Sequence, residues 1–178
     1  IGCKLPPKKA KEMQVLDREE LQKFLIQAQT DGYYELFLLD LCTGLRRGEL
    51  IALQWEDLNF ETGVLTVNKQ AYTVNGELQI IPPKTKASMR KLVLPPAVLA
   101  VLREYRRKVD SRWMFPSPVK ADRPITPGVA RRRLQTILER ADCKRVRFHD
   151  LRHTFATLAL ENGMDVKTLS AMLGHVSA

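Results

Sequence analysis

The spacing of apolar residues changes twice along this chain, from helical to strand-like and back to helical. Near the start, apolar side chains recur three and four positions apart, at Leu21, Phe24, Leu25 and Ala28. This spacing is typical of the buried face of a helix. Between about residues 62 and 94 it gives way to short β-branched runs bounded by glycine, asparagine and proline, as in strands and turns. The chain is therefore predicted to have a mixed α/β fold, mainly helical, with a small antiparallel sheet.

Local sequence signals set the expected boundaries of these elements. Asp17 and Glu20 match a capping box at the start of the first helix, and Asp165 can cap the last one. The later helices are expected at about 33–42, 45–53, 97–108, 126–141, 150–162 and 165–173. Strands are expected at 64–67, 91–94 and on both sides of Asn75-Gly76, a strong hairpin signal. We expect these runs to form one sheet of about three strands.

Length and composition favour one domain. The chain has 178 residues, of which 44% are hydrophobic, enough for one core of ordinary size. Residues 1–13 are rich in lysine and proline and are interpreted as a basic linker or arm. Residues 14–178 are predicted to form the folded domain.

The chain is strongly basic, because 29 Lys and Arg residues against 20 Asp and Glu give a formal net charge of +9. The positive residues are clustered, as at Arg131–Arg133 and at 144–147. A clustered excess of this size favours a polyanionic partner such as nucleic acid. The alternative is a solvated basic surface without a partner.

The cysteines and the hydropathy pattern argue against secreted and membrane proteins. Cys3, Cys42 and Cys143 are odd in number and far apart, as expected for reduced thiols in a cytoplasmic protein. The longest apolar stretch, near residues 37–42, is interrupted by Asp40 and is too short to span a bilayer.

Two segments contain residues suited to phosphate chemistry. His149 and Arg152 are three residues apart, so they share one face at a helix start. A guanidinium can grip two phosphate oxygens, and an imidazole can exchange a proton near neutral pH. Arg46 follows the Thr43-Gly44 break, with Glu49 one turn later, where its carboxylate could orient the guanidinium. A weak surface ion pair is the alternative for Arg46 and Glu49.

Two further segments are weaker candidates on their own. Lys84 and Lys86 lie between two predicted strands, where a lysine is usually solvated but could also reach a phosphate. His175 follows Leu173-Gly174 after the last predicted helix, where a capping or solvated histidine is the common case.

Taken together and in this order, these segments resemble the tyrosine recombinases and phage-type integrases. The resemblance covers the chain from about Val15 to Ala178. It depends on Thr43-Gly44-Leu45-Arg46 with Glu49, on a hairpin lysine, on His149-Asp150-Leu151-Arg152 and on Leu173-Gly174-His175. It implies the catalytic fold of DNA breaking-rejoining enzymes. The implied function is site-specific DNA recombination or integration through a 3′-phosphotyrosyl intermediate.

The resemblance also implies roles for individual residues. Arg46 and Arg152 would clamp the scissile phosphate, and His175 would donate a hydrogen bond to it. His149 would assist proton movement at the nucleophile. Lys86 would protonate the departing 5′ oxygen, with Lys84 as its competitor.

Partners follow from the same resemblance. Double-stranded DNA at recombination sites would be bound, and the full protein would act as a homo-tetramer on paired sites. No cofactor or metal is implied, because the arginines supply the positive charge. Additional contacts to DNA are expected from Lys84, Arg90, Arg131, Arg132 and Arg145.

The family's nucleophile is a tyrosine shortly after the Leu-Gly-His motif, and this sequence has no tyrosine there. The tyrosines present are Tyr33, Tyr34, Tyr72 and Tyr105, and all of them precede the motif that contains His149. Residues 14–178 are therefore expected to be a catalytic domain that is truncated before its nucleophile. This domain is expected to bind DNA without cleaving it.

Two other hypotheses compete with this one. A non-catalytic helix-turn-helix module would use residues 155–173, although the last helix offers few polar side chains to read bases. A zinc hydrolase would use the His149 and His153 pair, with Cys143 and His175 as further ligands, although Arg152 between them would repel a cation.

Overall fold

The computed structural model describes residues 14–174. Within these residues, seven α-helices and four strands alternate in blocks, as the change in apolar spacing predicts. The helices are α1 (Arg18–Asp31), α2 (Tyr34–Thr43), α3 (Arg47–Ile51), α4 (Pro96–Arg106), α5 (Pro127–Arg140), α6 (Phe148–Glu161) and α7 (Val166–Leu173). The strands are β1 (Val64–Val67), β2 (Gln70–Val74), β3 (Glu77–Ile81) and β4 (Arg90–Val93). The mixed, mainly helical architecture is confirmed.

The prediction of a single three-stranded sheet is wrong, because the four strands form two separate antiparallel ribbons. β2 pairs with β3 across a tight turn in which Asn75 and Gly76 both have positive φ, as the hairpin signal predicts. β1 pairs with the distant β4. β2 lies instead against α3, so closely that a Cβ on Gly48 would be 2.8 Å from the Ala71 carbonyl oxygen. β2 and β1 therefore lie in different ribbons, with β2 packed on α3.

The main core extends from α1, α2 and α3 through β1, β4, α4 and α5 to the start of α6. Phe24 of α1 meets Phe37 of α2 edge-to-face, with ring centroids 5.1 Å apart, and Phe37 is 5.8 Å from Phe148 of α6. A second, smaller cluster joins α6 and α7 through Phe155, Leu169 and Leu173. α6 is thus held on both sides along its length.

Short-range capping predictions are confirmed at several ends. Asp17 and Glu20 form the capping box of α1, and the Asp165 carboxylate accepts a hydrogen bond from the Thr168 backbone N–H at the start of α7. α6 begins two residues before its expected start, because the Asp150 carboxylate accepts the backbone N–H of Arg147. Within residues 14–174, no helix is long and apolar enough to cross a membrane.

Candidate functional site

A tight break between α2 and α3 presents Arg46 to solvent. Gly44 ends α2 with φ of +65°, and a Cβ there would lie 2.4 Å from the Phe155 ring. Both the left-handed backbone and the close approach therefore require glycine. Leu45 is buried after the break, and Arg46 precedes α3 with 42% of its side chain exposed.

Glu49 is the buried carboxylate that holds Arg46. Its side chain is 2% exposed. One of its oxygens accepts the Arg46 backbone N–H at 3.0 Å, and the other accepts Arg46 Nη1 at 3.2 Å. Burial alone would raise the pKa of Glu49, but hydrogen bonds and charge from Arg90 and Arg46 outweigh it and lower that pKa. Glu49 is therefore ionised near neutral pH.

Arg152 lies deeper, on the second turn of α6. Its guanidinium donates to the Gly44 carbonyl at 3.0 Å and to the Leu173 carbonyl. These bonds tie the break before Arg46 to the end of α7. Burial, followed by the charge of Arg46, lowers the pKa of Arg152 to about 10. The side chain stays protonated at neutral pH and gives the site a fixed positive charge.

A buried acid that the sequence analysis noted only as an interruption of an apolar stretch lies near Arg152. Asp40 of α2 is fully buried, and neither of its carboxyl oxygens has a hydrogen-bond partner among residues 14–174. Burial raises the pKa of Asp40 well above its ordinary value, although the charge of Arg152 opposes the shift. Asp40 therefore favours its neutral form, in which it cancels less of the positive charge of Arg152.

His149 is exposed at the first turn of α6. Its ring lies edge-to-face with that of His153, with centroids 4.7 Å apart. Burial and the neighbouring His149 lower the pKa of His153, so the second histidine favours its neutral form. No group of three potential metal ligands occurs in residues 14–174, so the zinc alternative has no third ligand there.

These residues open into one basic groove between α5, α6 and the start of α3. Arg46, His149 and Arg152 line it together with Arg131, Arg132 and Arg145, all six of which the sequence analysis singled out. The groove also contains residues that were not chosen as site residues. The polar and basic residues among them include Arg47, Gln135, Lys144 and Arg147. The basic runs around 131 and 144 are the sequence signal for this surface.

The lysine candidates are not among the residues that line the groove. Lys84 and Lys86 are exposed between β3 and β4, and Lys86 begins a 3₁₀ turn that ends at Ser88. Neither lysine is among the groove residues, so the choice between them stays open. His175 lies outside the described residues.

Arg90, a predicted DNA contact, lies in a buried position. Its side chain is only 7% exposed and forms a double hydrogen bond with Glu49. The Arg90 guanidinium also donates to the Ser88 and Met172 carbonyls, and contact of Arg90 with DNA stays a prediction.

Comparison with known proteins places the whole described region in one family. The sequence model of the phage integrase family matches residues 14–178 of this chain. A XerC-like tyrosine recombinase of Caldanaerobacter subterraneus subsp. tengcongensis is 30% identical over 188 positions, covering 92% of this chain and 48% of that protein. The tyrosine recombinase XerA of Pyrococcus furiosus is 34% identical over 167 positions, covering 91% and 53% respectively. The chain thus spans about half the length of these curated relatives.

Solved structures share the fold. The Tn1549 transposon integrase in complex with circular intermediate DNA has a TM-score of 0.82 and 25% identity, over 95% of this chain and 61% of that one. The crystal structure of XerA recombinase has a TM-score of 0.77 and 25% identity, over 97% and 59%.

Proposed function

Because the chain belongs to the phage integrase family, we propose that it is the phosphate-activating part of a tyrosine site-specific recombinase. The reaction is transfer of a DNA strand through a 3′-phosphotyrosyl intermediate. The observation that supports this best is that Arg46 and Arg152, 106 residues apart in sequence, line the same groove and are each held by buried partners.

The two arginines suit a phosphoryl-transfer transition state. Phosphoryl transfer places extra negative charge on the non-bridging oxygens, and preorganised donors stabilise that charge. Arg46 is aimed by Glu49, and Arg152 by two backbone carbonyls. Because their orientation is set before DNA arrives, little reorganisation is needed during the reaction.

The remaining polar groups have assigned roles in this proposal. His149 moves the proton of the nucleophile, and His175 donates a hydrogen bond to the phosphate. Lys86 protonates the departing 5′ oxygen, with Lys84 as the alternative. No step requires a metal, since the arginines provide the charge.

The groove surface suits double-stranded DNA. Arg131, Arg132 and Arg145 are exposed along it, and guanidinium groups in such rows contact backbone phosphates. We assign the intact protein to a homo-tetramer on paired sites, in the cytoplasm where its DNA is found.

The four tyrosines of this chain are separate from the groove. Among the described residues, the groove lining includes none of Tyr33, Tyr34, Tyr72 and Tyr105. The Cζ atom of Arg133 lies over the Tyr33 ring, 5.3 Å from its centroid. We therefore expect these 178 residues to bind DNA and to form no covalent adduct.

Covalent trapping tests the proposal. The intact protein is incubated with a nicked duplex of its recombination site, and a protein–DNA band that resists denaturation is sought. The band should disappear with Arg46→Ala and with Arg152→Ala. It should persist with Arg107→Ala, which removes an exposed arginine paired with Glu104 on α4. DNA binding without a band in the unaltered intact protein would contradict the enzymatic assignment.

A further inference from the structure

One buried side chain, Arg90 at the start of β4, reaches three separate parts of the site. Its two terminal nitrogens donate to the two oxygens of Glu49, each at 2.9 Å. Nη1 also donates at 2.8 Å to the Ser88 carbonyl, at the end of the 3₁₀ turn that begins at Lys86. Nε donates to the Met172 carbonyl in the last turn of α7. One guanidinium therefore links segments that are far apart in sequence.

The backbone around Arg90 is shaped to admit it. Gly174, which ends α7, has φ of +68°, and a Cβ there would lie 2.9 Å from Arg90 Nη1. Glycine is needed at this position both for the left-handed backbone and for the guanidinium. The glycine of the Leu-Gly-His motif is thus explained by a residue 84 positions earlier in the chain.

The link continues through Glu49 to Arg46. The Glu49 oxygens that accept from Arg90 also accept the backbone N–H and Nη1 of Arg46. A planar guanidinium has five N–H donors in a rigid fork. A lysine at position 90 keeps the charge but has no fork to hold all these acceptors at once.

We propose that Arg90 is a positioning residue that fixes the lysine segment, Arg46 and the end of α7 relative to one another. This inference rests on the proposed function, because these three parts are the ones assigned to the scissile phosphate. In this proposal Arg90 does not itself contact DNA. It acts by holding the groups that do.

The fold offers a way to separate positioning from simple loss of structure. Arg90 lies opposite Val67 in the β1–β4 ladder, and that ladder is formed by backbone groups that a side-chain change leaves in place. Lys91, the next residue, is exposed and points to the other face of the strand. Lys91→Met is therefore the matched control for a basic side chain on this strand.

Hydrogen exchange of the purified chain tests the coupling without any reaction. The reporter amides belong to Arg46, Met89 and Gly174, which donate to Glu49, Lys86 and Ala171 respectively. Arg90→Lys should accelerate exchange at all three by about tenfold, as expected for locally opened segments. Lys91→Met should change none of them. Acceleration at Met89 alone would overturn the proposal, because it would show a local contact only.

Covalent trapping with the intact protein tests the consequence for catalysis. Arg90→Lys should slow adduct formation by about tenfold to a hundredfold, the cost expected for misplaced groups, while DNA affinity stays within about threefold. Lys91→Met should retain the unaltered rate. An unaltered rate in Arg90→Lys, or a loss explained by weaker DNA binding, would overturn the proposal.

A substrate with sulfur in place of the 5′ bridging oxygen shows how much of the rate loss in Arg90→Lys comes from the lysine segment. In this substrate the tyrosine oxygen bonds to phosphorus while the P–S bond breaks, and the sulfur leaves as a thiolate that needs no proton. Arg90→Lys should recover part of its lost rate on it, and absence of recovery would overturn the link to the lysine. If the unaltered protein forms no adduct at all, the proposed function fails. The exchange experiment then still decides whether Arg90 couples the three segments.

Discussion

Replacing Glu49 with alanine tests how much the buried ion pair contributes to stability. Only 2% of the Glu49 side chain and 7% of the Arg90 side chain are exposed, so Glu49→Ala leaves a buried guanidinium without its counter-charge. Removing one partner of a buried pair costs about 3–5 kcal/mol. For a domain of this size, each kcal/mol lowers Tm by roughly 2–4 °C, so we expect a fall of roughly 6–20 °C.

The chain provides a closely matched control for this change. Glu104 pairs with Arg107 three residues away, as Glu49 pairs with Arg46. The side chains of Glu104 and Arg107, however, are 65% and 70% exposed. Glu104→Ala should therefore cost less than about 1 kcal/mol. Thermal and urea unfolding followed by circular dichroism at pH 7 measures both variants. Equal losses in the two variants would refute the argument that burial makes the Glu49 pair strong.

The stability lost in Glu49→Ala should also depend on pH. The pKa of Glu49 is lowered in the folded protein, so its contribution is fully present above the ordinary pKa of glutamate. It is lost as the pH falls through the lower, folded pKa. The difference in unfolding free energy between unaltered protein and Glu49→Ala should therefore shrink in acid. A difference that grows in acid would contradict the sign of the shift.

Three further predictions concern other parts of the molecule. Burial raises the pKa of the Asp40 carboxyl, so the folded state retains a proton that the unfolded chain releases. The free energy of unfolding should therefore fall as pH rises above about 4. Asp40→Asn should remove this fall when unfolding is measured across pH. Gly44→Ala should lower stability by about 2–4 kcal/mol, from positive φ and overlap with the adjacent phenylalanine ring, whereas Gly76→Ala, with φ of +79° and nothing within 4 Å, should lose only the backbone part. Arg132→Ala should reduce the slope of log affinity for duplex DNA against log salt by about 1, and Arg107→Ala should leave it unchanged in the same titration.

Much of the local structure could be predicted from the sequence because its causes lie within a few residues. The capping box of Asp17 and Glu20 joins positions three apart, and the Asn75-Gly76 turn joins neighbouring strands. The motif residues Arg46, His149 and Arg152 were identified in the same way, from spacing and from resemblance to the integrases. In the structure they line one groove, and their roles stay predictions.

The long-range arrangement depended on packing that no local pattern encodes. Arg90 is one of many basic residues, and only the folded chain shows that its partners are Glu49, 41 residues away, and Met172, 82 residues away. Likewise, only the folded chain shows that β1 pairs with the distant β4 while β2 packs on α3, so that the strands form two ribbons.

The sequence by itself determined which residues are chemically suited to a phosphate and where most helices begin and end. The tertiary structure alone decided which charges are buried and which face the groove. The physical reason is that capping and turn formation satisfy backbone groups of near neighbours. The burial of a charge, by contrast, depends on whether distant segments supply its partner.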